Sequence, residues 1–118
     1  MRILIAEDDD IARELICEVL TGEGYEVISA SNGVELIKNA LEKKPDLIIT
    51  DIQMPEMTGD TTISMIEEYQ ELASVPIIIM TGMDRKVFER LGVSKDIKVL
   101  FKPLDIAELK AIVKSYLK

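Results

Sequence analysis

The sequence predicts an α/β protein whose parallel sheet is covered by helices on both faces, a doubly wound (βα)5 arrangement, and three observations carry that expectation. Five short strand-like runs, residues 3–6, 25–28, 47–50, 77–80 and 97–101, alternate with stretches of helical periodicity. The stretches between them hold ten or more residues, the length that a crossover between parallel strands needs. Most of the runs are apolar without a polar interruption, as in strands buried on both sides.

Each element has its own local reason. After Ile3, Leu4, Ile5 and Ala6, the apolar residues Ile11, Leu15 and Val19, with Ile16 and Leu20, recur at helical spacing, and Asp9 or Asp10 is the expected cap. Thr21-Gly22-Glu23-Gly24 stops that helix with glycine near its end. Tyr25-Glu26-Val27-Ile28 reads as the second strand. Asn32 with Glu35 three residues on reads as a capping box, opening a helix lined by Val34, Ile37, Ala40 and Leu41. Lys44-Pro45-Asp46 breaks out of it into Leu47-Ile48-Ile49. A loop over 54–59 leads into a helix carrying Ile63, Met65 and Ile66, followed by the strand at Ile77 to Met80. A short helix is expected over 84–91. Asp105 with Glu108 caps a final helix whose Ile106, Leu109, Ile112, Val113 and Tyr116 share a core-facing stripe.

Composition excludes several function classes. The chain has 118 residues, 47% hydrophobic and 31% charged, and is expected to form a single domain spanning 1–118. No apolar stretch approaches the ~20 residues needed to cross a bilayer, and no signal peptide is read, so no membrane partner and a cytoplasmic location are expected. Net charge is −8, and no cluster of Lys and Arg stands out, so direct nucleic-acid binding is not expected. There is no histidine, and Cys17 is the single cysteine. That removes an internal disulfide, a zinc donor set and the His-assisted nucleophiles. Cys17 is read as a packing residue.

The chemistry-bearing residues fall at strand ends, where open α/β sheets bind their ligands. Glu7 and Asp8 extend the first strand, Asp51 ends the third, Thr81 the fourth and Lys102 the fifth. Two carboxylates about 4 Å apart repel by roughly 4 kcal/mol at an effective dielectric near 20. Such a cluster needs a cation or a proton, and among cations an all-oxygen, histidine-free set suits a hard one such as Mg2+. A cation held by carboxylates beside an ammonium and a hydroxyl suits phosphoryl transfer, with a carboxylate as nucleophile.

These residues resemble the receiver domain of two-component response regulators. The matching stretches are Ile3-Leu4-Ile5-Ala6-Glu7-Asp8-Asp9, Pro45-Asp46-Leu47-Ile48-Ile49-Thr50-Asp51, Met54-Pro55-Glu56-Met57-Thr58-Gly59, Ile77-Ile78-Ile79-Met80-Thr81-Gly82 and Phe101-Lys102-Pro103. The resemblance covers essentially the whole chain. It implies the flavodoxin-like strand order 2-1-3-4-5, which spacing alone does not supply.

By the same resemblance Asp51 is the phosphoacceptor, Asp8 binds Mg2+ directly and Glu7 through water, and the Gln53 carbonyl adds a metal ligand. Thr81 bonds the phosphoryl group, Lys102 pairs with it, and Pro103 follows a cis bond. The implied function is a receiver phosphorylated by a histidine kinase or phosphotransfer protein and signalling to a downstream protein, rather than an enzyme turning over a separate substrate. The alternatives are an Mg2+-dependent phosphatase or phosphotransferase with an Asp nucleophile, and a non-phosphorylated pseudo-receiver scaffold. A phosphorylation-dependent dimer stays open, as does whether an output domain follows Lys118. One departure stands out: three residues before the lysine, where the family usually places Tyr or Phe as a switch, this chain has Val99. Phe101 shares Val99's side of the strand and is the expected partial substitute.

Overall fold

In the computed structural model the described residues are 1–53, 61, 64, 68–69, 72, 74–93 and 97–117. Five strands form one sheet: β1 (Arg2–Ala6), β2 (Glu26–Ala30), β3 (Leu47–Asp51), β4 (Ile77–Thr81) and β5 (Lys98–Phe101). Their order is β2-β1-β3-β4-β5, and every pairing is parallel. The described helices are α1 (Asp10–Gly22), α2 (Gly33–Lys43), α3 (Arg85–Glu89) and α4 (Ile106–Tyr116). The expected 54–59 loop and the helix carrying Ile63, Met65 and Ile66 lie outside the described residues.

Because side chains alternate across a strand, the sheet has two apolar faces. Ile3, Ile5, Leu47, Ile49, Ile78, Met80 and Leu100 pack with Ile16 and Leu20 of α1 and Leu109 and Val113 of α4. Leu4, Ala6, Ile48, Ile77 and Ile79 pack on the other face with Leu36, Ile37 and Ala40 of α2 and Phe88 of α3. The sheet is therefore doubly wound, as the uninterrupted apolar strands predict.

Helix ends follow the sequence closely. Asp9, not Asp10, caps α1, its carboxylate accepting the Ile11 amide at 3.1 Å. Asn32 Oδ1 accepts the Glu35 amide at 2.8 Å, and the Glu35 carboxylate in turn takes the Ser31 hydroxyl. Asp105 Oδ1 accepts the Glu108 amide, and Asp84 caps α3 through the Lys86 amide. Lys44 closes α2 in the left-handed conformation with φ 49°, a position that usually falls to glycine.

Helix faces required correction. Ile11 is 80% and Leu15 50% exposed, so the outer stripe of α1 faces solvent and Ile16 with Leu20 forms its core. Val34 is 52% exposed, and Leu36 takes its place in the core. In α4, Leu109 and Val113 are buried while Tyr116 is exposed. The second strand also starts one residue later and runs two further than expected, because Ser29 and Ala30 register with Ile5 and Ala6 of β1. Asp51 and Thr81 are the last residues of β3 and β4, as their positions at the strand ends imply.

Candidate functional site

The β1, β3, β4 and β5 ends converge on one acidic corner. Ladder pairing sets Ala6 beside Thr50 and Thr81 beside Phe101, so Glu7, Asp51, Thr81 and Lys102 emerge at the same rim. Glu7 is only 1% exposed and its amide donates to the Ala30 carbonyl, extending β1's pairing to the edge of the site. Asp51 is 3% exposed. Carboxylates this enclosed require partners, and Lys102 supplies them. Its Nζ lies 2.5 Å from Asp51 Oδ2 and 3.0 and 3.1 Å from the two Glu7 oxygens. The other Asp51 oxygen accepts the Gln53 amide at 2.7 Å.

One ammonium does not neutralise the corner. Burial, together with hydrogen bonding to Asp51, pushes Glu7 up to about 7, against the pull of Lys102. Burial also works against the charged Lys102, but its hydrogen bonds to Asp51 and Glu7 outweigh this and hold it above its ordinary value. Ligand oxygens of Glu7, Asp8 and Asp51 lie within 4.8 Å of one another, with Asp8 on the exposed side. The donors are all carboxylate oxygens. That set fits Mg2+, which takes oxygen ligands and keeps several waters, for which the exposed Asp8 side leaves room.

Thr81 is fully buried, and its Oγ1 accepts the Met83 amide at 3.0 Å. Its carbonyl accepts the Lys102 amide at 2.7 Å, which fixes the lysine's origin against β4. The Lys102–Pro103 bond is cis, as the resemblance implies. Val99 and Phe101 pack on the α2–α3 face, consistent with a shared side of β5. Cys17, with its thiol pushed up by burial, packs against the opposite core and takes no part in the site.

The structure adds one residue that strand-end reasoning missed. The Arg13 guanidinium donates to the Glu7 carbonyl at 2.8 Å and also pairs with Asp10, tying α1 to the end of β1. The signal was weak: an Asp10/Arg13 pair three residues apart, which usually marks only a solvated helix face. All the acids and the lysine singled out from the sequence come together. Gln53 reaches the corner through its backbone.

Known proteins share this architecture. A signal receiver domain of a signal transduction histidine kinase from Syntrophus aciditrophicus superposes with a TM-score of 0.88 at 31% identity, covering 98% of this chain and 89% of that one. The chemotaxis response regulator CheY4 of Vibrio cholerae superposes with a TM-score of 0.88 at 25% identity, over 98% and 97% of the two chains. In sequence, the polar-differentiation response regulator DivK of Brucella anthropi is 32% identical over 116 residues, 98% of this chain and 94% of that protein. The pattern of the response regulator receiver domain matches residues 3–114. With the fold, the acidic corner and these matches in agreement, the chain belongs to the response regulator receiver domain family.

Proposed function

We propose that residues 1–118 act as a single receiver domain that accepts a phosphoryl group on Asp51 from a histidine kinase or phosphotransfer protein, and that relays the change to a protein target. The observation that carries this reading is the shared ammonium. Lys102 Nζ sits between Asp51 and Glu7, a cation at the point where negative charge must be neutralised during phosphoryl transfer.

The residues divide the work. An Asp51 oxygen attacks phosphorus; the O–P bond forms as the donor's P–N bond breaks, and the released imidazole takes up a proton. Lys102 then exchanges one of its carboxylate contacts for a phosphoryl oxygen, and the Thr81 hydroxyl donates to another. Glu7, Asp8, Asp51 and the Gln53 carbonyl would hold Mg2+, which supplies charge neutralisation at the phosphoryl oxygens when bound. The enclosure of Glu7 and Asp51 keeps bulk water from competing for these charges. The product is a modified protein, not a released one, so the chain acts as a signalling protein rather than an enzyme on a separate substrate. Among the described residues no helix is long and apolar enough to cross a membrane.

Incubation with a small acyl phosphate and Mg2+ tests this. The intact protein should gain the mass of one phosphoryl group, and Asp51→Asn should abolish the gain. Equal labelling of the Asn variant would overturn the assignment.

A further inference from the structure

The residue where the family's aromatic switch usually stands is Val99, yet an aromatic cluster lies two residues on. The Phe101 ring meets Phe88 of α3 edge-on, with centroids 5.8 Å apart and planes at 85°. The Arg85 guanidinium lies 4.4 Å from the centroid of the same ring. A ring face attracts a cation electrostatically, so this half-buried side chain is held by Phe88 at one contact and Arg85 at another. Arg85 is the first residue of α3 and directly follows the 82–84 loop, in which the Met83 amide donates to Thr81 Oγ1. Phe101 in turn pairs in register with Thr81, and the Lys102 amide donates to the Thr81 carbonyl. Thr81 and Phe101 are thus joined twice, through the β4–β5 ladder and through Met83, Arg85 and the ring.

We infer that Arg85 is a positioning residue: its guanidinium on the Phe101 ring holds the 82–84 loop, and through Met83 the Thr81 hydroxyl, in the arrangement of the site without a phosphoryl group. The inference rests on the reading of Thr81 as a phosphoryl contact. A hydroxyl has one donor and two acceptor lone pairs. Thr81 can therefore donate to a phosphoryl oxygen while still accepting from Met83, and the loop follows it. Gly82 leaves open space around its backbone for that movement, with nothing within 4 Å of where a Cβ would stand. Phe101 does not follow, because β5 is anchored along β4 through Lys98, Val99 and Leu100. Arg85 leaves the ring as the loop moves, so the contact opposes loading of the site.

Binding of beryllofluoride with Mg2+, a phosphoryl mimic, reads this directly by calorimetry or NMR titration of the full chain. Arg85→Gln and Phe101→Leu should each bind the mimic about two- to five-fold more tightly than the parent, the range that a surface cation–π contact supports. The double variant should show no further gain, and Arg85→Lys, which keeps a cation for the ring, should stay near the parent. A purely structural role would lower the melting temperature of Arg85→Gln with and without the mimic and leave its affinity unchanged. Unchanged or weaker affinity in Arg85→Gln, or Arg85→Lys behaving like Arg85→Gln, overturns the role of Arg85 while leaving the phosphoryl site standing. Failure of the parent to bind the mimic overturns the reading of Asp51 and Thr81, and the role of Arg85 with it.

Discussion

The centre of the sheet and its β5 edge are built to different standards. β3 is buried at all five positions, and Ile3, Leu4, Ile5 and Ala6 of β1 are fully buried as well. In β5, only Leu100 is buried, while Val99 and Phe101 are partly covered and Lys98 is exposed. α3, which packs against that edge, has five residues, and its Val87 is 46% exposed. Elements with few buried apolar groups open at lower free energy than the core. Asp51, the proposed nucleophile, therefore stands on the rigid part of the molecule, where its geometry is held. The residues proposed to respond, Thr81 to Arg85, lie against the Phe101 ring at the edge, next to the part that moves at least cost.

The sharpest way to break this comparison is to make matching cavities in both regions. Ile49→Ala, in the buried centre of β3, should destabilise the protein by about 3–4 kcal/mol. Val99→Ala, on the half-covered edge, should cost about 1 kcal/mol. Urea denaturation measures both, and equal losses would mean that the edge is packed as firmly as the centre.

Cation binding sharpens the same contrast from the side of the charges. A ligand that binds only the folded state stabilises it by about 2.7 kcal/mol at one hundred times its dissociation constant. Saturating Mg2+ should raise the melting temperature of the parent accordingly. Asp8→Ala should abolish that rise and, by removing repulsion, raise the metal-free melting temperature. A Mg2+ response that survives in Asp8→Ala would place the cation away from the acidic corner.

Glu7 makes metal-free stability fall with pH, the reverse of an ordinary salt-bridged carboxylate. Folding holds it up to about 7, above the ordinary 4.5 of the unfolded chain. Between those values the folded state binds a proton that the unfolded state has lost, so stability decreases as pH rises through this window. The raised Lys102 stays charged throughout and contributes no slope there. The difference between about pH 5 and pH 8 should be on the order of 2 kcal/mol from Glu7 alone. Glu7→Gln should flatten this part of the profile in thermal melts. A parent more stable at pH 8 than at pH 5 without metal, with Glu7→Gln following the same curve, would show that Glu7 is not strained by its burial.

How much of this was legible in the sequence depended on the range of the interaction. Strands were legible because Ile3 to Ala6, Leu47 to Ile49 and Ile77 to Met80 are apolar without a break, and Asn32 and Asp105 announced their helices through caps three residues long. Glu7, Asp51 and Lys102 could be placed together because a parallel sheet delivers all its strand ends to one rim. The Arg85–Phe101 contact was not legible, since neither periodicity nor a local motif links residues on a helix start and a strand end. Nor was the inner face of α1. Ile11, Leu15 and Val19 make one apolar stripe and Ile16 with Leu20 another, and only packing against the sheet decides between them.

That ambiguity in α1 carries the smallest expected effect and extends the contrast between centre and periphery. Ile11 begins the stripe that reads as core, yet it is 80% exposed beyond the acidic corner. Substitutions on such a surface normally change stability by less than about 0.5 kcal/mol. Alanine is the better helix former, which offsets what little apolar contact Ile11 makes. Ile11→Ala should therefore leave the urea midpoint almost unmoved, whereas Ile16→Ala, one stripe over on the same helix, should fall in the range of Ile49→Ala. Ile16 is 2% exposed among the side chains of β1 and β3, so its loss leaves a cavity. A large loss from Ile11→Ala would mean that the outer stripe of α1 is covered in solution, and measuring the midpoint at several protein concentrations would show whether a second copy of the chain covers it.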